Sequence, residues 1–313
     1  MRLIALTSRA PWDVARLRRS VQKAAGRNFA PCATCGRADR ICPMPSEAML
    51  HERRPVAPHS GHAHAPDPLL ARKLDYHQPL SRLERDVLAK ALSLDVRTVQ
   101  QRTILLEQGA AATKLAVMLD GWACRQKTLP DGRRQIVAFY LPGDVCDFSV
   151  LMAPAIDSTI ELLPGARVAG ISRDALGMLN RSQPRITRGL WWESQAAAAI
   201  QREWMINIGQ RGARARIAHL ICEIVTRLDA VGLMKHGRCA LPITQADLGD
   251  ACAMTTAHTN RTLRQLRDEK LISWRDNVLE VPDREALSAA AAFSAAYLQL
   301  SGAEEGALLA LEL

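Results

Sequence analysis

Residues 242–281 read PITQADLGDACAMTTAHTNRTLRQLRDEKLISWRDNVLEV. Thr244 is placed to N-cap a short helix, and Asp247, three residues on, puts a carboxylate in its first turn. Leu248, Ala251 and Cys252 recur at helical spacing. A break falls at Ala253–Met254. Thr255 then N-caps a second helix that the pattern carries to about Lys270. Leu263 and Leu266 face inward one turn apart, while Asn260, Arg261, Arg264 and Arg267 take the polar sides. Two β-rich runs, Leu271–Arg275 and Val278–Val281, flank a turn at Asp276–Asn277.

Helix, tight turn, helix and small hairpin make the layout of a winged helix-turn-helix, whose second helix fits the major groove of duplex DNA. From Thr255 to Arg267 there are three Arg and no acid, a cationic helix face. The whole-chain charge says less. The 313 residues carry a formal net charge of +9, but residues 1–75 alone hold 13 Lys/Arg against 6 Asp/Glu. Apolar content of 48% and charged content of 23% are those of an ordinary globular protein. No apolar run reaches the roughly 18 residues of a membrane span, and no apolar h-region with a cleavage site opens the chain. A cytoplasmic protein without membrane contact is expected. The eight cysteines, even in number, are then expected to be reduced.

Working outward, residues 1–75 read as a basic, Cys/His/Pro-containing tail, largely disordered, with a basic helix over about Trp12–Ala25. Cys32, Cys35 and Cys42 lie there, with His51, His59, His62 and His64. Met44 and Met49 stand as alternative translation starts. Residues 76–183 read as a sensor barrel. Ser81 caps a helix over Arg82–Ala91. Strand-like runs follow at Val96–Leu106, Leu115–Leu119, Trp122–Thr128, Arg134–Tyr140, Ser158–Leu163 and Ala166–Ile171, separated by Gly and Pro turns. Residues 184–211 read as a dimerisation helix. Trp191, Ser194, Ala198, Gln201, Met205 and Ile208 form one seam on it. Leu190, Ala197, Ile200 and Trp204 form the adjoining one. A two-stranded seam buries so wide a stripe; the alternative is one helix packed on its own barrel. A helix over Ala213–Ala230 packs under the DNA module. Residues 212–295 complete that module, and 296–313 read as a C-terminal tail.

Three segments carry a family resemblance: LPGDVCDF (Leu141–Phe148), RIAHLICEIV (Arg216–Val225) and ITQADLGDACAMTTAHTNRTLRQLRDEKLI (Ile243–Ile272). With barrel, long helix and winged helix in this order, the chain resembles the Crp/Fnr family of bacterial transcription regulators over about residues 76–295. The resemblance implies an α+β fold. It consists of a cyclic-nucleotide-binding-like jelly-roll β-barrel, a long dimerisation helix and a C-terminal winged helix-turn-helix. It implies a homodimer reading a near-palindromic site in double-stranded DNA, with RNA polymerase as a partner and a signal received at the barrel. The family's DNA-contacting positions fall at Thr255, Thr256, Ala257, Asn260 and Arg261; His258 and Arg264 join them as candidates. The Arg261 guanidinium suits guanine O6/N7 or a phosphate. Ala257 departs from the glutamate many members have and offers only a methyl. Ala253 departs from the usual glycine at the turn. Either it sits in the left-handed region at a cost of about 1 kcal/mol, or the turn has another geometry.

The cyclic-nucleotide binders of the family use a glutamate and an arginine–serine pair. Here the glutamate position falls near Phe148, and no Arg occurs between Arg134 and Arg167. A buried phosphate without a cation is costly, so the chain resembles the Fnr-like members more than the cyclic-AMP binders. Oxygen-sensing members hold an iron–sulfur cluster on four cysteines. Cys32-x2-Cys35-x6-Cys42 is one residue longer than the family's C-x2-C-x5-C, and the fourth cysteine falls at Ala169. Cys146 or Cys124 would have to substitute. Three thiolates and a His would instead hold zinc. The cofactor is unknown, with none as the default expectation and an iron–sulfur cluster as the alternative. Asp144 and Asp147 beside Cys146 raise its thiol pKa. No nucleophile–base arrangement is readable and Cys32–Cys35 has no βαβ context, so enzymatic activity is not expected. The alternatives to a DNA-binding regulator controlled at the barrel are a redox-sensing regulator and a ligand-binding module acting through protein contacts.

Overall fold

Turn residues decide where the strands of the first half start and stop. The computed structural model describes residues 68–151 and 155–300. Seven strands come first: β1 (Val96–Thr98), β2 (Thr103–Leu106), β3 (Lys114–Asp120), β4 (Ala123–Thr128), β5 (Arg134–Tyr140), β6 (Thr159–Leu162) and β7 (Arg167–Ser172). The run expected as one strand over Val96–Leu106 is two. Val99 turns inward, its N–H bonded to the Ala166 carbonyl at 3.0 Å, and the chain then crosses to the other sheet. The sheets run β1-β7-β3 and β2-β6-β4-β5, with every pairing antiparallel. Met118 and Val168 from the first meet Ile160 and Leu162 from the second in one buried cluster. The jelly roll thus takes its two-sheet form.

Three helices flank it: α1 (Leu69–Asp75), α2 (Arg82–Ser93) and α3 (Arg173–Ser182). A capping box of Ser81 and Glu84 starts α2, and Ser172 caps α3. Helix α1 is a correction to the sequence reading, which ran the tail through residue 75. Leu70, Ala71 and Leu74 are buried in a cluster with Ile186 and Leu190. The turn before Asp144 presses on α1. Gly143 has φ +92°, and a Cβ there would stand 3.2 Å from the Leu69 backbone, so only glycine fits.

Helix α4 (Pro184–Gln210) has 27 residues, a rod of about 40 Å. Ile186, Leu190, Ala196, Ala199 and Trp204 face the chain's own core. Trp191 and Met205 are 64% and 73% exposed. One expected seam is partly covered by the protomer and the other lies open. Helix α5 (Ala213–Ala230) follows and is buried on most of its faces. Then come β8 (Arg238–Ala240), α6 (Gln245–Ala251), α7 (Thr256–Asp268), β9 (Ser273–Arg275), β10 (Val278–Glu280) and α8 (Arg284–Ala291). The small sheet has the order β8-β10-β9, so the expected hairpin gains a third strand. Asp276 and Asn277 both have positive φ, 51° and 60°, as a two-residue hairpin turn of the primed type requires. After α8 the chain turns back onto α4 and α5. Leu298 is 4% exposed, so packed structure continues past residue 296, where the tail was expected to begin. No helix among the described residues is long and apolar enough to cross a membrane.

Candidate nucleic-acid interface

Helix α6 opens with a reciprocal cap. Thr244 Oγ1 accepts from the Asp247 N–H at 3.0 Å, and Asp247 Oδ2 accepts from the Thr244 N–H at 2.9 Å. Gly249 lets the next helix approach: a Cβ there would stand 2.9 Å from both the Met254 carbonyl oxygen and Thr259 Oγ1. Ala253, between the helices, has φ 51°. It therefore takes the left-handed conformation, settling the alternative left open by its sequence. Ala253→Gly is expected to stabilise the protein by about 0.5–1 kcal/mol, the relief of Cβ strain less the entropy of glycine. A rise in urea midpoint at constant m is the readout; a lower midpoint would mean that Ala253 carries no strain.

Thr255 caps α7, accepting from the His258 N–H at 3.3 Å. Leu263 and Leu266 point inward with Thr259 and Thr262. The two buried hydroxyls donate to the Thr255 and His258 carbonyls, each at 3.0 Å, so no polar group is stranded. The opposite face carries Thr255, Thr256, Ala257, His258, Asn260, Arg261 and Arg264, all exposed. Neither Arg261 nor Arg264 meets a carboxylate among the described residues. Glu269, near the end of the helix, is taken by Arg214 at 2.9 Å. The result is a cationic ridge with no paired carboxylate among the described residues.

Behind it, a buried polar hub ties the elements together. The Glu223 carboxylate on α5 accepts from Trp204 Nε1 at 3.0 Å, Tyr297 OH at 3.0 Å and Arg227 Nη1 at 3.1 Å. Arg227 also donates to Asp144 and, at 3.1 Å, to the Phe139 carbonyl. Asp144 accepts from Lys73 of α1 at 2.8 Å, and Lys73 reaches Glu193 of α4. Burial pushes the Glu223 carboxyl up despite Arg227. Burial also opposes ionisation of Asp144, but Arg227 and Lys73 outweigh it and hold that carboxyl below the usual range.

His219 on α5 is 1% exposed, 5.1 Å from the Phe293 ring and stacked on Tyr297. Burial, with Arg211 adding to it, lowers its pKa to about 4. Glu203, 3.3 Å from Nε2, works in the opposite direction without overcoming the burial. A histidine held neutral in the fold contributes stability above its unfolded pKa, and that contribution drains away as pH falls toward the folded value. Between pH 7.5 and 5 the loss from this residue is expected to be about 2 kcal/mol. Urea unfolding of the protein and of His219→Phe at both pH values checks it; equal losses in the two would refute the assignment.

A cavity of about 720 Å³ opens between the jelly roll and α4, lined among others by Arg125, Tyr140, Asp147, Phe148, Ala197 and Gln201. No arginine lies between residues 134 and 167, but Arg125 reaches the cavity from β4. It is already engaged, by Asp147, by the Cys146 carbonyl at 3.1 Å and by Asp157 at 3.6 Å. Lys127 and Arg227 line the same cavity and are also paired, Lys127 with Asp157 at 3.1 Å and Arg227 with Glu223 at 3.1 Å.

Family models match both halves of the chain. The model for the cyclic nucleotide-binding domain matches residues 96–181, and that for the Crp-like helix-turn-helix domain matches residues 215–290. Together they span just over half of the 313 residues. The chain belongs to the Crp/Fnr family. This Crp/Fnr protein is 26% identical over 162 residues to the nitrogen fixation regulation protein FixK of Azorhizobium caulinodans, a match covering 52% of the chain and 64% of FixK. It is 27% identical to the transcriptional activatory protein AadR of Rhodopseudomonas palustris, covering 60% of the chain and 77% of AadR. The solved structure of FixK2 from Bradyrhizobium japonicum shares the fold, with 24% identity, a TM-score of 0.57, and coverage of 64% of this chain and 98% of that one.

All seven candidate DNA-contacting residues of this Crp/Fnr protein share one surface. The two cysteines considered as a fourth ligand stand apart. Cys124 and Cys146 are buried in separate clusters, and Cys32, Cys35 and Cys42 lie outside the described residues. Burial, with Glu161 next, pushes the Cys124 thiol up to about 12. Burial and Asp144 raise that of Cys146. Both thiols are sealed from water, Cys124 0% and Cys146 1% exposed. Among the described residues no three His, Cys, Asp or Glu side chains group to hold a metal. The hub went unforeseen because its members are scattered from Lys73 to Tyr297. Its one local signal is Glu223 with Arg227 four residues on, set in the apolar stripe of α5.

Proposed function

We propose that this protein regulates transcription as a homodimer that reads a near-palindromic DNA site. One observation carries the reading: Thr256, Ala257, Asn260, Arg261 and Arg264 line the exposed face of α7, and neither arginine pairs with a carboxylate among the described residues. Two such helices enter successive major grooves about 34 Å apart. The open seam of α4, with Trp191 and Met205, pairs with its copy in the second protomer. A signal at the cavity beside α4 shifts how the long helices present the DNA-binding domains. Arg261 contacts guanine or phosphate directly. Thr255 serves as the cap, and His258 and Arg264 serve the backbone. RNA polymerase is the further partner, and chromosomal DNA as target puts the work in the cytoplasm.

Genome-wide footprinting with the purified protein tests the reading, with protected near-palindromic sites as the expected result. Affinity should fall steeply with added salt, since each phosphate neutralised contributes a slope of about −0.9 in log K against log salt. A protein that protects no such site, or binds with no salt dependence, is not a DNA-binding regulator.

A further inference from the structure

Helix α6 is gripped from the jelly roll. Arg134, the first residue of β5, donates Nη2 to Asp247 Oδ1 at 2.7 Å and Nε to Asp250 Oδ2 at 2.7 Å. Gln135 Nε2 donates to the Asp250 carbonyl at 2.6 Å. Arg102, just ahead of β2, donates to Asp247 and, at 2.9 Å, to Glu161 on β6. Asp247 sits in the first turn of this seven-residue helix and Asp250 in its last, so both ends are held. The Asp247 side chain is only 2% exposed, although Arg134 and Asp250 remain 26% and 31% exposed. Single ion pairs this wet are weak; a network converging on one buried carboxylate is not.

Two further observations give the grip a purpose. First, β5 reaches the cavity at its other end, where Val137, Phe139 and Tyr140 line it. A strand of seven residues therefore borders the cavity at one end and holds α6 at the other. Second, the face of α7 that carries Arg261 is open while the grip is closed. The grip does not hide the reading surface. It fixes α6, and α6 fixes α7 through the close approach at Gly249.

We propose that Arg102 and Arg134 are positioning residues for DNA recognition, holding the helix-turn-helix directly on the jelly roll. A displacement of β5 at the cavity then reaches α7 without passing along α4. The proposal rests on the DNA-binding reading above, and the test separates the two. Full-length protein is titrated onto a fluorescent duplex carrying its footprinted site, at several salt concentrations. If the unaltered protein does not bind, the DNA-binding reading fails. If it binds, Arg134→Glu and Asp250→Arg are each expected to weaken binding about 10-fold, the size of ordinary coupling between sites. The double variant restores the pair between positions 134 and 250 in reverse but sets a carboxylate at position 134 against Asp247, and is expected to recover part of that loss. Arg134→Gln should weaken binding with the salt slope unchanged. Wild-type affinity in the single variants, or a double variant as weak as the two losses combined, overturns the proposal. So does a slope in Arg134→Gln reduced by about 0.9, which would mean a direct phosphate contact. Should Arg134→Glu not fold, Gln135→Ala and Arg102→Gln supply the same comparison with milder changes, judged by the same criteria.

Discussion

Arg261→Ala is expected to cost about 1–3 kcal/mol at each half-site, and so about 2–6 kcal/mol for a dimer that uses both. The residue stands on the open face of α7, no carboxylate competes for it among the described residues, and the helix beneath is anchored by Leu263 and Leu266. Fluorescence anisotropy on an operator duplex gives the affinity. The pattern of loss identifies the contact. If Arg261 reads guanine, its loss flattens the preference at a single base pair. If it clamps phosphate, binding weakens evenly across sequences and the salt slope drops by about 1 per contact. Reversing the charge of Arg261 together with Arg264 should abolish occupancy, and unchanged occupancy would end the recognition-helix reading.

Glu223→Ala should have the largest effect on stability, about 3–5 kcal/mol. The carboxylate itself is a poor contributor, since burial makes its charged form costly. The damage lies in what it leaves behind. Trp204 Nε1, Tyr297 OH and Arg227 Nη1 would all lose their acceptor in a dry interior. Glu223→Gln keeps one acceptor oxygen but turns the other into an NH2 donor as it removes the charge, and is expected to cost about 1–2 kcal/mol. Urea unfolding followed in the near-ultraviolet, where Trp204 reports, separates the two. Equal effects would show that one retained acceptor does not satisfy the hub. An Ala variant as stable as the parent would show that water fills the gap.

Local chemistry made the DNA-binding half readable. Thr244, Thr255 and Asp276–Asn277 each declare a cap or a turn within four residues, and the apolar steps of α6 and α7 fall between them. Strand positions in the jelly roll were readable for the same reason, from their Gly and Pro turns. The exception is Val96–Leu106, where a switch between sheets leaves no compositional mark. β8 escaped because three residues, with only Cys239 buried, give no periodicity. The α1 helix escaped because its apolar residues matter only once Gly143 brings the jelly roll against them. The hub and the grip on α6 are long-range by nature. Nothing near Arg134 announces Asp250, and nothing near Lys73 announces Asp144.

The wet side of α4 sets a dosage rule. On the proposed pairing, Trp191 and Met205 leave water only when a second chain arrives, and protomers and pairs then exchange by mass action. Promoter occupancy would then climb with the square of the protein's abundance while it is scarce. A modest change in synthesis then becomes a steep change in output, and the emission of Trp191 on dilution would mark the concentration at which that threshold sits.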